Sequence, residues 1–441
     1  MTTQPSEIPS TQPDSGRRDF LKKSSVATLA GAAASSLAFP SITRAEALKG
    51  TVRVGLIGCG GRGTGAANQA LNADGNVQLA AMADVFEGQI NGSLANLKKK
   101  FGEKVTVGEG DKHIGLDAYK KVIESDVDVV ILTTPPGFRP MMLDAAVKAG
   151  KHVFCEKPVA VDAPGVRSVM QSAQTAKSKG LSLVTGFCWR YHNARREFFR
   201  RIHEGAIGDI QSMFSTYYAG PVKPMPPEKR RPEDMADVAW QIKNWYNFGW
   251  LSGDSLVEQA VHSVDKIGWA MKDADPVSCI ATGGRQVPAH GGNIYDHFHI
   301  VYEYPNGVLC HLGSRQQRGT HGENNDYIHG TKGQGKIAGD CFIQSTEGNW
   351  VSGDELKNDM YQAEHDHLFA SIRDGAAVND GEWMAHSTML AIMGRMAAYT
   401  GQKVTWKMAM DSKHDLAPDD LKWDDAFTPD EMAQPGKTKF L

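Results

Sequence analysis

The chain has few cysteines, and none are paired in sequence. Its 441 residues hold six, at Cys59, Cys155, Cys188, Cys279, Cys310 and Cys341, with no C-x-x-C pair among them. That spacing argues against a zinc ribbon and against a disulfide-framed scaffold. Basic clusters are also missing beyond the N-terminus, and the formal net charge is −3, so nucleic acid and anionic membrane are poor partners. The one long apolar run, Val26 to Pro40, is broken by serine and glycine and is too short to span a bilayer. What remains is 41% apolar and 22% charged, the make-up of a soluble globular protein, long enough for two domains with additions.

The N-terminus has three parts. A polar start ends in Arg17-Arg18-Asp19-Phe20-Leu21-Lys22, a weakly apolar Ala/Gly/Ser stretch follows, and Ala45-Glu46-Ala47 offers an A-x-A cleavage site. Paired arginines before Phe-Leu-Lys resemble a twin-arginine export signal; the alternatives are a disordered basic tail or an uncleaved anchor. On the first reading residues 1–47 are a removable signal, the twin-arginine export machinery is a partner, and the mature protein is periplasmic. That route carries folded proteins, so a cofactor can be loaded before export.

From Lys49 onward strands alternate with helices. Val52 to Ile57, Val77 to Ala83, Val127 to Thr133, Lys151 to Cys155 and Leu181 to Gly186 read as strands, with helices at Thr64 to Leu71, Leu94 to Phe101 and Met141 to Ala149. The strands are apolar without alternation, as in a parallel sheet covered on both faces. Residues 48–186 are therefore expected to form a doubly wound α/β domain. After Gly186 the rhythm changes. Ile210 to Tyr218, Val277 to Gly283, Tyr295 to Tyr304 and Val308 to Arg315 read as longer strands, the last two joined by a Pro305-Asn306-Gly307 turn. Residues 187–441 are expected to form an α+β domain with an open, largely antiparallel sheet, a surface loop at Pro221 to Asp237, and late helices at Glu364 to Asp374 and Met384 to Tyr399.

Two motifs carry chemistry. Gly58-Cys59-Gly60-Gly61-Arg62-Gly63 fits G-x-G-x-x-G, follows a strand, opens a helix, and precedes Asp84 by 21 residues. This is the context of a dinucleotide site, where glycines admit a tight turn and the helix N-terminus faces the pyrophosphate. A carboxylate at Asp84 suits the ribose hydroxyls and repels a 2′-phosphate, which favours NAD over NADP; Arg62, as a phosphate contact, keeps NADP possible. The second motif, Glu156-Lys157-Pro158, ends a buried strand on the side where open α/β sheets bind ligands. A charged pair there is costly unless it has a task.

With "AGKHVFCEKPVA" and "EGAIGDI" (Glu204 to Ile210) added, the chain from about Val52 to Trp406 resembles the Gfo/Idh/MocA oxidoreductases, the family of glucose–fructose oxidoreductase and the inositol dehydrogenases. The resemblance implies a Rossmann domain followed by an α/β domain whose open sheet faces the nicotinamide and often builds a dimer or tetramer. It marks Lys157 as the active-site lysine, Glu156 as a ribose contact, and Thr134-Pro135 as the loop beside the cofactor. Where the family often has N-H-x-H, this chain has Pro136, Gly137, Phe138 and Arg139. "VEQAVHSVD" resembles the family's D-x-x-x-H-x-x-D helix, with Glu258 in place of the first aspartate, then His262 and Asp265.

Without the family, Glu258, His262 and Asp265 at i, i+4 and i+7 share one helix face. Oxidising a hydroxyl needs a base and a hydride acceptor. His262 suits the base, Lys157 would orient the hydroxyl, and Glu258 would orient His262 or bind substrate. Asp265, Arg190 and Tyr295 are the expected substrate contacts; Trp189, Tyr191 and Trp245 are candidate ring stackers. No ligand set is recognised for a metal, His297/His299 and His365/His367 included. The substrate class is a sugar, cyclitol or related polyol, with the cofactor retained; the alternative is an NAD-dependent, redox-neutral glycoside hydrolase.

Overall fold

The structure is a computed structural model that describes residues 47–287, 291–418 and 420–440. Apart from Ala47, the expected export signal lies outside the described residues.

Six strands form the first sheet: β1 (Val52–Ile57), β2 (Val77–Asp84), β3 (Lys112–Ile114), β4 (Val129–Leu132), β5 (His152–Cys155) and β6 (Leu183–Thr185). Their order is β3-β2-β1-β4-β5-β6, and every pairing is parallel. The apolar, non-alternating strands fit this arrangement, because β4 and β5 are buried at every residue. The strand order reverses between β1 and β4, and the crevice past their carboxyl ends is where such sheets hold ligands.

The second sheet has nine strands: β7 (Ile210–Ala219), β8 (Ser278–Gly284), β9 (His297–Glu303), β10 (Leu309–Gln316), β11 (Asp326–Gly330), β12 (Gly333–Ala338), β13 (Asp340–Ser345), β14 (Gly348–Val351) and β15 (Val404–Thr405). The order is β14-β13-β12-β11-β7-β10-β9-β8-β15, antiparallel except where β10 runs parallel to β7. The turn at Pro305-Asn306-Gly307 joins β9 to β10, with Asn306 at φ 68°. Strands β11 to β14 were not anticipated from the sequence. One face of the sheet packs on helices through Met213, Ile300, Tyr302 and Leu312. The other carries a cross-strand row, Ile280, Val301, His311, Phe214, Tyr327, Lys336, Phe342 and Val351, each residue directly opposite the next. Phe214 and Tyr327 stack there at 6.3 Å.

Two late helices cross the division expected near residue 186. Met360–Asp374 packs Leu368, Phe369 and Ile372 into the core around Val54, Ala66 and Phe154 of the first domain. Gly381–Thr400 is buried on nearly all sides, as a helix must be when it is apolar all round. It lies between helix Ala163–Ser178 and the packed face of the second sheet. A smaller cluster, including Trp240, Ile242, Phe248 and Trp250, draws in Val85 and Phe86 from the end of β2 together with Trp423 and Phe427 of the C-terminal tail.

Candidate active site

The turn after β1 is shaped by two glycines. Gly58 sits at φ 92°, and a Cβ there would lie 2.8 Å from Thr133 and Thr134 backbone atoms. A Cβ on Gly63 would lie 1.9 Å from the Gly58 carbonyl oxygen. At Gly60 and Gly61, by contrast, a Cβ would meet nothing within 4 Å. The helix Gly61–Ala73 therefore begins facing open space, without a capping side chain, which leaves first-turn N–H groups for an anion. A cavity of about 490 Å³ adjoins it, lined among others by Gly58, Gly60, Asp84, Thr134 and Pro135. These residues fit a dinucleotide. Asp84 accepts from the Cys59 N–H (2.7 Å) and the Phe86 N–H (2.9 Å), and an ionised carboxylate keeps further lone pairs for ribose hydroxyls. Burial raises its pKa, while those two N–H groups pull the other way.

Arg62 does not face this cavity, and its expected phosphate contact is corrected. Its guanidinium turns inward to Glu156 Oε1 (2.5 Å), Glu364 Oε1 (3.0 Å) and Gln69 Oε1 (3.1 Å). Glu156 is turned the same way. Its second oxygen accepts from the Lys157 N–H at 3.0 Å and it is 4% exposed, so the ribose role expected for it is also not what the structure places there. Burial raises the Glu156 pKa, but Arg62, Lys157 and Arg139 outweigh that and hold it low. Glu364 is pushed far up by burial and by Glu156, and its Oε2 has no hydrogen-bond partner among the described residues. One guanidinium thus serves one ionised and one protonated carboxyl.

Lys157 follows the end of β5, and its bond to Pro158 is cis. Arg139, in place of the family's histidine motif, donates to the Pro158 carbonyl at 2.5 Å. The Lys157 ammonium reaches across to the second domain, 2.6 Å from the Glu258 carbonyl oxygen and 3.0 Å from Glu258 Oε1. The other Glu258 oxygen accepts from Gln259 Nε2 (2.5 Å), and Gln259 Oε1 accepts from the Tyr217 hydroxyl (2.8 Å). Glu258 therefore orients Lys157, whereas it was expected to orient His262 or bind substrate. The cause is local: Leu256–Ala260 is a π-helical turn before the α-helix Val261–Ala270, which breaks the regular i, i+4 face.

His262 stacks on Trp189 (5.2 Å, 22°) and meets Phe187 edge-on (6.4 Å). Its Nδ1 is buried without a hydrogen-bond partner among the described residues. Burial, followed by the charges of Lys157, Lys266, Arg195 and Arg62, drives its pKa far below the ordinary histidine value, so the ring is neutral. Lys266 was missed, although it lies one turn after His262 on the same helix. Its ammonium sits 4.1 Å from the Trp189 ring centroid, pairs with Asp326, and is pushed down to about 8 by burial.

Three expected substrate contacts are placed elsewhere. Arg190 donates from Nε to Asp265 (2.9 Å) and from both terminal nitrogens to Asp273 (2.9 and 2.5 Å), flat against Trp383. Asp265, 1% exposed, accepts from Arg190 and from the Ser387 hydroxyl. These form an internal ion-pair network that takes three of the arginine's five donors. Tyr295 is 2% exposed, packs on Phe298 and Tyr399, and donates to the Ala433 carbonyl. Of the aromatic candidates, Trp189 stays beside His262, Tyr191 is buried against Asp380, and Trp245 lines the dinucleotide cavity. Among the described residues no group of three His, Cys, Asp or Glu is placed to hold a metal.

A glycine-loop crevice in a parallel sheet, with a lysine that reaches a glutamate of the second domain one turn before a neutral histidine, is the arrangement of a dinucleotide-dependent oxidoreductase. Residues 52–187 match an oxidoreductase family with an NAD-binding Rossmann fold, and residues 196–335 match the C-terminal domain of the same family. The chain belongs to the Gfo/Idh/MocA oxidoreductases, whose members are NAD(P)-dependent dehydrogenases and oxidoreductases. It is 25% identical to an inositol 2-dehydrogenase of Rhizobium meliloti (strain 1021) over 286 residues, 64% of this chain and 74% of that protein. It is 34% identical to a glycosyl hydrolase family 109 protein of Solibacter usitatus over 149 residues, 33% of each chain. In fold it matches a levoglucosan dehydrogenase, solved with NADH and levoglucosan, with a TM-score of 0.64 at 18% identity, over 80% of this chain and 99% of that one.

The carboxyl pair at Arg62 gives a stability prediction. Arg62→Met leaves an ionised Glu156 without its main counter-charge and should cost about 3–5 kcal/mol, read by denaturant unfolding. Glu364→Gln should be nearly neutral at pH 4, because the native group is already uncharged. Since the folded pKa of Glu364 is raised, its contribution is complete below the unfolded value of about 4.3 and fades as pH rises. The glutamine variant should remove that fall; a wild-type slope retained in Glu364→Gln would show that Glu364 is ionised.

Proposed function

We propose that this chain is an exported NAD(P)-dependent oxidoreductase that acts on a CH–OH group of a sugar, cyclitol or related polyol and keeps its cofactor bound. The observation that carries the reading is the His262 imidazole, stacked on Trp189 with its Nδ1 buried and without a hydrogen-bond partner among the described residues, on the helix that follows the turn whose Glu258 holds Lys157. A bound dinucleotide supplies the nicotinamide carbon that takes the hydride. The chain's own groups manage the proton. His262, uncharged, is free to take it from the hydroxyl. Lys157 has three donors, two of them spent on Glu258, so one remains to orient the hydroxyl oxygen and steady the charge that develops on it. Glu258 keeps that ammonium aimed.

A second reading, redox-neutral glycoside hydrolysis, is favoured by one observation, the matched third of the chain shared with the glycosyl hydrolase family 109 protein. His262→Ala should slow single-turnover nicotinamide reduction by roughly 10²–10⁴-fold while bound NAD, quantified after denaturation, is unchanged. Unchanged reduction removes His262 from the base role. Aglycone release from a glycoside, with no reduced nicotinamide from any polyol, selects the hydrolase.

Export rests on Arg17-Arg18 and the A-x-A site. In this reading the enzyme is periplasmic and the twin-arginine machinery is its partner. Replacing both arginines with lysine should leave precursor in the cytoplasm on fractionation; normal export of that variant would sink the idea.

The protein is further proposed to form a dimer or tetramer through the open face of its second sheet. Support comes from the cross-strand row, which leaves Phe214 (37%), Ile280 (51%), Phe342 (38%) and Val351 (54%) exposed, more contiguous apolar surface than a solvated sheet face needs. Phe214→Asp should lower the mass seen by sedimentation to that of one chain; a wild type that already sediments as one chain refutes the assembly.

A further inference from the structure

The dinucleotide cavity has a roof that the Rossmann sheet does not supply. Gly58, Asp84, Phe86 and Thr134 form one side; Lys223, Ile242, Lys243 and Trp245 close the other. These four belong to the stretch between β7 and the helix Val261–Ala270. The stretch is tied to itself and to a distant turn. Lys223 Nζ donates to the Lys243 carbonyl (2.7 Å), Asn247 Nδ2 to the Lys223 carbonyl (3.1 Å), and the Asn293 N–H to the Asn247 carbonyl (3.0 Å). That turn needs Gly292, at φ 69°, where a Cβ would lie 2.3 Å from the Asn247 oxygen. Behind the roof, Ile242, Phe248 and Trp250 pack with Val85 and Phe86, and the Trp423 ring of the C-terminal tail meets Phe86 edge-on at 5.4 Å.

We propose that residues 223–245 are a strap that closes over the dinucleotide and sets how slowly it leaves. The inference rests on the reading that this enzyme retains its cofactor. Two features of the strap suit the ligand. Trp245 brings an aromatic face to a cavity that would receive a base, and such contacts are sequence-independent and strong. Lys223 and Lys243 bring two cations to a cavity whose one other charged lining residue, among the described residues, is Asp84, and a dinucleotide carries two phosphate charges. Release requires the strap to lift, which breaks the apolar seam at Phe86 as well as the ligand contacts. The strap also touches the chemistry. Trp245 stacks on Tyr246 at 4.0 Å, whose hydroxyl lies 3.3 Å from Gln259 Nε2, and Gln259 holds Glu258. An unseated strap therefore disturbs the partner of Lys157.

The test is release of radiolabelled NAD from the full mature chain, chased with excess unlabelled NAD at low and high salt. Trp245→Ala should release roughly 10–100-fold faster, the range of an aromatic contact to a base. Lys223→Met/Lys243→Met should release faster at low salt and lose most of the salt dependence seen in wild type. Both lysines are exposed, so this variant folds even if Trp245→Ala does not. Release at the wild-type rate in either folded variant, with an unchanged salt response in the lysine pair, overturns the strap. The two ideas separate by what is compared. The ratio of variant to wild type judges the strap, and the absolute wild-type rate judges retention. Rapid wild-type release with still faster variants refutes retention and upholds the strap; slow release that no variant changes does the reverse.

Discussion

A single guanidinium joins the segments from which the site is built. Arg62 stands in the glycine loop after β1, Glu156 at the end of β5, and Glu364 on a helix that returns from the far end of the chain. All three are needed to fix one point. The glycine loop must present its N–H groups, β5 must end with Lys157 directed at Glu258, and helix Met360–Asp374 must seal the core beneath. A half-buried arginine joined to two buried carboxyls is an expensive way to do this unless one carboxyl gives up its charge. Glu364 does so, and the cluster then holds one cation and one anion. The residue that the loop motif offered to a phosphate is spent on architecture instead.

The electrostatics around His262 follow from the same economy of charge. Lys157 has Glu258, Lys266 has Asp326 and Arg62 has Glu156, so three of the four nearby cations arrive with an anion, while Arg195 lies over the Trp189 ring. The histidine is left without one. Its ring is stacked on Trp189, largely removed from water, and surrounded by the positive ends of those pairs. A protonated imidazole there would face repulsion with no compensating carboxylate, so the neutral form prevails well into acid. That is the state a proton acceptor needs before it acts.

What was legible in the sequence was local or periodic. The first sheet was legible because unalternating apolar strands and a glycine turn need no long-range information, and Gly58, Gly60, Asp84, Thr134 and Pro135 followed from motif and position. Side-chain direction was not legible. Arg62 and Glu156 were assigned to the right loops but turn inward to each other, and Arg62 also to Glu364 on a helix about three hundred residues away. Arg190 and Asp265 were taken for substrate contacts because nothing in sequence announces Asp273 and Ser387 as their partners. Glu258 was separated from His262 by a π-helical turn that no propensity foretells. The strands β11 to β13 do alternate, with Ile328, Ile337, Cys341 and Ile343 buried, but glycine and polar residues between them hide the pattern. Lys266 needed Asp326 to explain it, sixty positions away.

On the proposed reading, the two-domain construction lets the paired groups meet a substrate without first being torn apart. Lys157 spends two donors on one residue, through the Glu258 carbonyl and carboxylate, and an ammonium has three. A hydroxyl oxygen can take the third while the ion pair stays whole, so binding does not have to overcome the cost of separating buried charges. The carbonyl contact matters for the same reason. It belongs to the backbone of the π-helical turn and is fixed in direction, so the ammonium keeps its aim even while the Glu258 carboxylate shares itself with Gln259. The irregular turn that defeats a simple helical reading of this segment is therefore what lets one residue hold the lysine twice and leave its last donor free.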